Sequence, residues 1–227
     1  MTQIDPARVV AEFSVTGKPA RLPALPRYNV APTQRVAVVR ILAVSEGRRV
    51  DALVWGLVPS WARDARDGAR MINARVETLA TKPAFREAAR ARRCLVVAEG
   101  FYEWERRGRE RQPYYVRRLD GGLLAMAGLW EVWTSPDGEV LETCAIVTKP
   151  AAAPLARIHD RMPAILGEVD HAAWLDPDRK APPTALILAP SPELELAPVS
   201  TLVNKPANDG PGCIERVAIT PGLFDPR

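Results

Sequence analysis

The chain has 227 residues, among them 31 Lys and Arg, 27 Asp and Glu, 22 prolines and three cysteines. No apolar run approaches the ~20 residues of a membrane-spanning helix, and no signal-peptide pattern opens the sequence, so a cytoplasmic protein without membrane association is expected. Cys94, Cys144 and Cys213 are an odd count with no short metal-type spacing, so neither a disulfide framework nor a zinc site is suggested, and no cofactor is indicated.

The net charge of +4 is unevenly spread. Residues 1–118 hold 23 Lys and Arg against 12 Asp and Glu, a balance of +11, while residues 119–227 hold 8 against 15, a balance of −7. Such asymmetry points to an anionic partner on one face, with nucleic acid the usual candidate. Arginine supplies nearly all of the positive charge, a bias that GC-rich genomes also produce without any binding role.

In chain order, Asp5 to Phe13 reads as a short helix, with Asp5 as N-cap and Pro6 at the first helical position. A proline-rich connection runs through Pro19, Pro23 and Pro26. Arg35–Leu42 and Val50–Val58 read as paired strands around Ser45–Arg48, and Trp61 stands on the loop that follows. Met71–Thr78 is expected to be extended. Thr81 is a candidate cap for a helix over Pro83–Arg92, with Arg86, Arg90 and Arg93 at helical spacing. Cys94–Ala98 has the β-branched content of a buried strand, and Pro113–Val116 reads as another. Leu123–Trp133 and Val140–Thr148 form a strand pair across Ser135–Gly138. A short helix over Ala151–Ile158 leads to His159, and His171–Leu175 is a helical turn with His171 expected at the surface. Ala185–Leu188 is apolar and flanked by prolines, and beyond Val199 the pattern is lost. Hairpin-linked strands with short helices between them predict one α+β domain, residues 1–227, around a mainly antiparallel, barrel-like sheet.

The stretch Glu99-Gly100-Phe101-Tyr102-Glu103-Trp104 stands out because a carboxylate sits between two aromatics at the exit of a core strand. Glutamate is disfavoured in strands, and a carboxyl that loses water to aromatic walls has a raised pKa, as a general acid or base requires. The same residues also fit an edge glutamate turned to solvent, and the stretch alone leaves both readings open. His159, followed by Asp160, Arg161 and a proline, is held in a fixed loop where an imidazole can move protons. Asn73 offers a neutral donor and acceptor. Spacing alone does not bring Asn73, Glu103 and His159 together.

Taken jointly and in order, Asn29-Val30-Ala31-Pro32, Trp55-Gly56, Ile72-Asn73-Ala74-Arg75-Val76-Glu77-Thr78, Gly100-Phe101-Tyr102-Glu103-Trp104, Thr148 and Ile158-His159-Asp160-Arg161-Met162-Pro163 resemble the SRAP family. These are the SOS-response-associated peptidases, or abasic-site processing proteins. Val199-Ser200, Asn204 and Asn208 also fit, so the resemblance spans essentially the whole chain. It implies the SRAP fold and, as partner, single-stranded DNA or a single-strand/double-strand junction bearing an abasic site. In the family an N-terminal cysteine, exposed when the protein removes its own initiator methionine, condenses with the abasic aldehyde to a thiazolidine that shields the lesion. By position, Glu103 would assist methionine removal and imine formation. His159 would act on sugar ring opening and on crosslink reversal, and Asn73 would hold the reacting end. Pro32, Trp61, Arg75, Trp104, Thr148 and Arg161 would line the DNA cleft of a monomer.

The start departs from the family pattern. Members begin Met-Cys-Gly-Arg-Phe, followed by a small residue and Gln, whereas this sequence begins Met1-Thr2-Gln3. If Gln3 matches that Gln, Thr2 stands four residues past the cysteine, up to ~14 Å of extended chain away. Either the start is misplaced or cut, which the intact Asn73, Glu103 and His159 favour, or this is a natural form that binds without crosslinking. The sequence as written is expected to bind single-stranded DNA and form no denaturant-stable adduct. The alternatives are a non-covalent DNA-binding module and an ordinary protease. For the second, no Ser-His-Asp or Cys-His arrangement is visible.

Overall fold

Strands rich in Val, Leu, Ala and Cys on both faces ask for cover on both faces, and the fold supplies it by closing one sheet into a barrel and packing helices outside. The computed structural model describes residues 1–3, 5–17 and 26–218. Its elements are α1 (Pro6–Glu12), β1 (Arg35–Arg40), β2 (Arg49–Trp55), β3 (Asn73–Arg75), α2 (Arg86–Ala91), β4 (Arg93–Ala98), β5 (Gly100–Arg107) and β6 (Glu110–Arg118), then β7 (Leu124–Thr134), β8 (Val140–Pro150), β9 (Arg161–Pro163), α3 (His171–Leu175), α4 (Thr184–Leu188) and β10 (Leu194–Pro198). Among the described residues no helix is long and apolar enough to cross a membrane.

The barrel runs β2-β1-β4-β7-β8 through antiparallel pairs and closes by a short parallel pairing of β2 with β8. This mixed closure refines the expectation of a mainly antiparallel barrel. β3 and β9 add to β8 at its far end. A second sheet, β10-β6-β5, stands beside it, and only Glu99 separates β4 in the barrel from β5 in that sheet. Gly100 is required at this crossing, since a Cβ there would lie 2.4 Å from the Tyr115 ring.

Register fixes the barrel's inner face as Val36, Val38, Leu53, Cys94, Val96, Met126, Cys144 and Ile146, one continuous buried cluster. Gly128 makes room within it, because a Cβ would come within 2.9 Å of Cys94 Sγ. The outer face, including Val39, Leu95, Ala127 and Val147, is covered by Ala88 of α2 and Trp174 of α3, with Phe13 just after α1 and Phe85 just before α2. A large side chain such as Phe13, Phe85 or Leu95 contributes about 1.5–3 kcal/mol on burial. One mouth of the barrel is plugged by charge. Arg40 Nε donates to Asp51 Oδ2 at 2.7 Å, its Nη2 donates to Glu142 Oε1 at 2.7 Å, and its guanidinium lies 4.3 Å from the centre of the Trp130 ring.

The N-terminal helix follows the sequence expectation, with Asp5 Oδ1 accepting from the Ala7 N–H at 2.8 Å. Three other expectations are corrected. α2 begins at Arg86, and Thr81 does not cap it, since the Thr81 hydroxyl donates back to the Thr78 carbonyl and a turn from Lys82 to Phe85 intervenes. The helix expected over Ala151–Ile158 shrinks to a 3-10 turn at Leu155–Arg157, behind Pro154, which has no N–H to give. His171 is buried rather than exposed: its ring stacks on Phe13 with centroids 5.2 Å apart, and burial pushes its pKa down, so it packs neutral. Of the proline-rich connection, Pro19 and Pro23 lie outside the described residues.

Candidate functional site

The other mouth of the barrel is open. There the second sheet and residues 203–206 enclose a cavity of about 370 Å³ whose apolar floor includes Trp55, Met126 and Ile146. Asn73, Glu103 and His159, far apart in the chain, all line it, together with Pro32, Trp104, Thr148 and Arg161. Two of the expected DNA-cleft residues do not: Trp61 is 65% exposed on the loop after β2, and Arg75 is exposed at the end of β3.

β3 runs parallel to β8 with Asn73 opposite Ile146 and Arg75 opposite Thr148. Alternation therefore turns Asn73 and Arg75 to the side of the sheet that carries Ile146 and Thr148. Asn73 stays exposed within the cavity. On β5 the same alternation puts Glu103 on the face of Phe101, opposite to Tyr102 and Trp104. Its sequence neighbours are thus not the walls that dry it. Burial still raises the Glu103 pKa above the usual carboxylate range. His159 and the Trp104 N–H oppose the rise, and Asp160 adds to it.

Tyr102 and Trp104 instead fasten the site's outer wall. The Tyr102 hydroxyl donates to the Tyr28 carbonyl at 2.5 Å, and Trp104 Nε1 donates to Asn204 Oδ1 at 2.7 Å. Asn29 Nδ2 donates to the carbonyls of Val203, Lys205 and Asn208, while Asp209 accepts from the Tyr28 and Asn29 N–H groups and pairs with Arg27. Sequence reading quoted Asn29, Asn204 and Asn208 as motif pieces without assigning them this tethering work.

His159 sits on the loop into β9. Its Nδ1 accepts from the Arg161 N–H at 3.0 Å and lies 2.9 Å from the Arg161 carbonyl, with Asp160 Oδ1 at 3.4 Å. The Arg161 side chain is engaged elsewhere: Nη1 and Nη2 grip both oxygens of Glu77 at 2.5 and 3.0 Å, and Nη2 also donates to the Thr148 carbonyl at 2.8 Å.

Met1 is also a cavity residue, which sequence reading did not foresee. Gln3 anchors the segment, since its Nε2 donates to the Val97 carbonyl and its Oε1 accepts from the Ala37 N–H. The Met1 amine is buried, donates to the Val30 carbonyl at 2.9 Å, and is pushed down to about 5 chiefly by that burial. The three cysteines are buried, and burial pushes the Cys94 thiol up to about 12 and raises Cys144 as well. A half-dried carboxyl, an imidazole and a neutral amide around one apolar-floored cavity make a proton-handling site for a small polar group.

This barrel with its covering sheet is shared with solved proteins. A structure from Bordetella bronchiseptica matches with TM-score 0.74 at 26% identity, covering 87% of this chain and 97% of that one. One from Bacteroides thetaiotaomicron matches with TM-score 0.71 at 28% identity, covering 82% of each. The family model described as SOS response associated peptidase (SRAP) matches residues 1–206, and the chain belongs to that family. It is 40% identical over 194 residues to the abasic site processing protein YoqW of Bacillus subtilis, covering 84% of this chain and 86% of that protein. It is 34% identical over 226 residues to the abasic site processing protein HMCES of Xenopus tropicalis, covering 86% of this chain and 67% of that protein.

Proposed function

We infer that the chain recognises abasic sites in DNA through this cavity, with single-stranded DNA or a single-strand/double-strand junction as its partner in the cytoplasm. The observation that carries the reading is the convergence of Asn73, Glu103 and His159 on one cavity, in a chain whose relatives are named for abasic-site processing.

A ring-opened abasic sugar is a small polar aldehyde. His159 takes the proton of the anomeric hydroxyl as the bond from the anomeric carbon to the ring oxygen breaks, and returns it to that freed oxygen, while Asn73 holds the reacting end. Glu103, more readily protonated than an exposed carboxyl, gives a proton to the hydroxyl that leaves as water when an amine and the aldehyde form an imine. Pro32 and Trp104 offer surfaces to unstacked neighbouring bases, with Trp61 further along the strand. Arg75 and Thr148 meet phosphates. Arg161 contributes less than its charge implies. Of the five N–H groups of a guanidinium, two are spent on Glu77 and one on Thr148, and Nε is buried, which leaves one for a phosphate.

In the family's crosslinking form, the α-amine and thiol of an N-terminal cysteine trap the aldehyde as a thiazolidine. The position of Met1 supports that route. A residue joined to its nitrogen would be carried into the cavity, and an amide N–H there would keep the bond to Val30 with no charge to desolvate. The buried Cys94, Cys144 and Cys213 give no alternative nucleophile.

The test uses fluorescence anisotropy and a denaturing gel. The chain binds an abasic oligonucleotide more tightly than an intact one, and affinity falls steeply between about 50 and 200 mM salt. It gives no band that survives denaturant. Replacing Met1 by Met-Cys-Gly-Arg-Phe creates that band. Absence of the band in the extended form, or equal binding of intact and abasic strands, overturns the reading.

A further inference from the structure

We propose that Glu77 is a positioning residue for His159, acting through Arg161: its carboxylate fixes the guanidinium fork so that the Arg161 backbone holds the imidazole by Nδ1 and leaves Nε2 as the proton-carrying nitrogen of the site. The proposal rests on the role given to His159 above.

Three observations converge on it. Glu77 stands on the 3-10 turn Val76–Thr78 directly after β3, so the strand that aims Asn73 also fixes where this carboxylate sits. Its two oxygens face Nη1 and Nη2 of Arg161 as a bidentate pair, and Arg161 in return holds the carboxyl below its usual range. Arg161 is only 19% exposed, and its third contact is the Thr148 carbonyl in the barrel wall. The arginine's fork is therefore held at both terminal nitrogens by three charge-assisted hydrogen bonds, which add to the β8 pairing that seats its main chain opposite Pro150.

That main chain is what His159 depends on. Nδ1 meets both the N–H and the carbonyl of Arg161, at 3.0 and 2.9 Å. A bare Nδ1 accepts from the N–H, and a protonated Nδ1 donates to the carbonyl. The resting neutral ring holds the first arrangement, with its proton on Nε2 as a donor, and taking a proton on Nδ1 instead keeps the ring on the same residue and turns Nε2 into a base. Ring opening and crosslink reversal ask for those two directions of proton transfer. A carboxylate 82 positions from the histidine thus acts on it without touching it, as an outer partner orients a metal-ligating histidine.

The chain has two histidines, so ¹⁵N-histidine labelling gives two sets of ring signals, and His171, stacked on Phe13, serves as the internal control. In the unmodified protein the Nδ1 and Nε2 resonances of neutral His159 are well separated and sharp. In E77A that separation shrinks by about half or more as the ring averages between tautomers, while His171 is unmoved. E77D, which keeps the charge, recovers part of it. If E77A disturbs His171 as well, the isosteric E77Q decides on the same readout, with loss of the His159 pattern expected and its retention fatal to the proposal. Unchanged His159 signals in E77A overturn it too, most plainly if DNA affinity then rises several-fold with a steeper salt dependence, which would make Glu77 the occupant of a phosphate seat on Arg161. Failure of the functional reading is distinguishable, because it shows as equal binding of intact and abasic DNA by the unmodified protein, whatever the histidine signals do.

Discussion

The two mouths of the barrel use the same kinds of residue and treat charge in opposite ways. At the closed mouth Arg40 is 2% exposed, and its fork is divided between Asp51 and Glu142, while Arg49 takes the other oxygen of Asp51. At the open mouth, among the described residues, the charged groups that act on Glu103 are His159, which favours its ionised form, and Asp160, which opposes it. The ion pair that does stand at the open rim, Glu77 with Arg161, is spent on holding a loop. Charges that are matched and dry fix a structure, and a charge left half-matched in a drying cleft is poised to exchange a proton. Sorting residues by which mouth they serve predicts which substitutions cost stability and which cost activity.

The sharpest way to break the comparison is Arg40→Met. Asp51 then keeps only Arg49, and the substitution is expected to cost about 3 kcal/mol, the scale for stranding a buried partner. The reading is a drop in the urea midpoint at unchanged slope, with DNA affinity intact wherever the variant is folded. Pairing it with Asp51→Leu should recover much of the loss, because an apolar plug has no charge to desolvate. A single-variant loss under about 1 kcal/mol would mean that this end is closed by packing, not charge.

Gly100→Ala probes the seam between barrel and second sheet. The new methyl meets the Tyr115 ring, whose hydroxyl is bonded to Thr2 Oγ1 at 2.7 Å. The expected cost is about 1–3 kcal/mol, accompanied by weaker abasic-DNA binding, because β5 carries Glu103. Calorimetry and anisotropy read the two effects. Stability lost without any change in binding would show that the seam supports the closed mouth alone.

What the sequence made legible follows the same division. Runs such as Cys94–Ala98 are apolar on both faces, so their strand character is local and was readable. β10 was not, because Leu194–Pro198 is short and proline-flanked and gains its pairing from β6 some 80 residues earlier. The parallel closure of β2 on β8 is equally non-local. His171, set among Glu168 and Asp170, reads as a surface residue, and the stacking of Phe13 on its ring comes from a segment more than 150 residues earlier. For the site, Asn73, Glu103 and His159 were reachable through the family resemblance, and the cavity brings them together. The resemblance does not reveal what each charge is bonded to. That Arg161 is gripped by Glu77, or that Met1 lines the cavity, depends on contacts between segments that no local pattern encodes.

The smallest expected effect is the most discriminating. Glu103→Gln removes a group whose folded-state pKa is raised, chiefly by burial. A carboxyl of that kind is protonated more easily in the folded chain than in the unfolded one. It therefore leaves the fold unperturbed below the unfolded value of about 4.3 and weakens it progressively as pH rises through the folded value. Glutamine imitates the protonated acid at every pH. The variant should match the parent near pH 4 and exceed it at pH 7 by about 0.5–1 kcal/mol, the scale on which relieving a strained functional group stabilises a protein. The extended Met-Cys-Gly-Arg-Phe form carrying the same change should crosslink abasic DNA far more slowly. Thermal melts at the two pH values, set beside gel rates, give the answer. A loss of stability at pH 7 would mean that Glu103 is a matched structural charge like Asp51. A gain in stability with a loss of rate would place the two mouths of one barrel on opposite sides of the trade between holding a fold and doing chemistry.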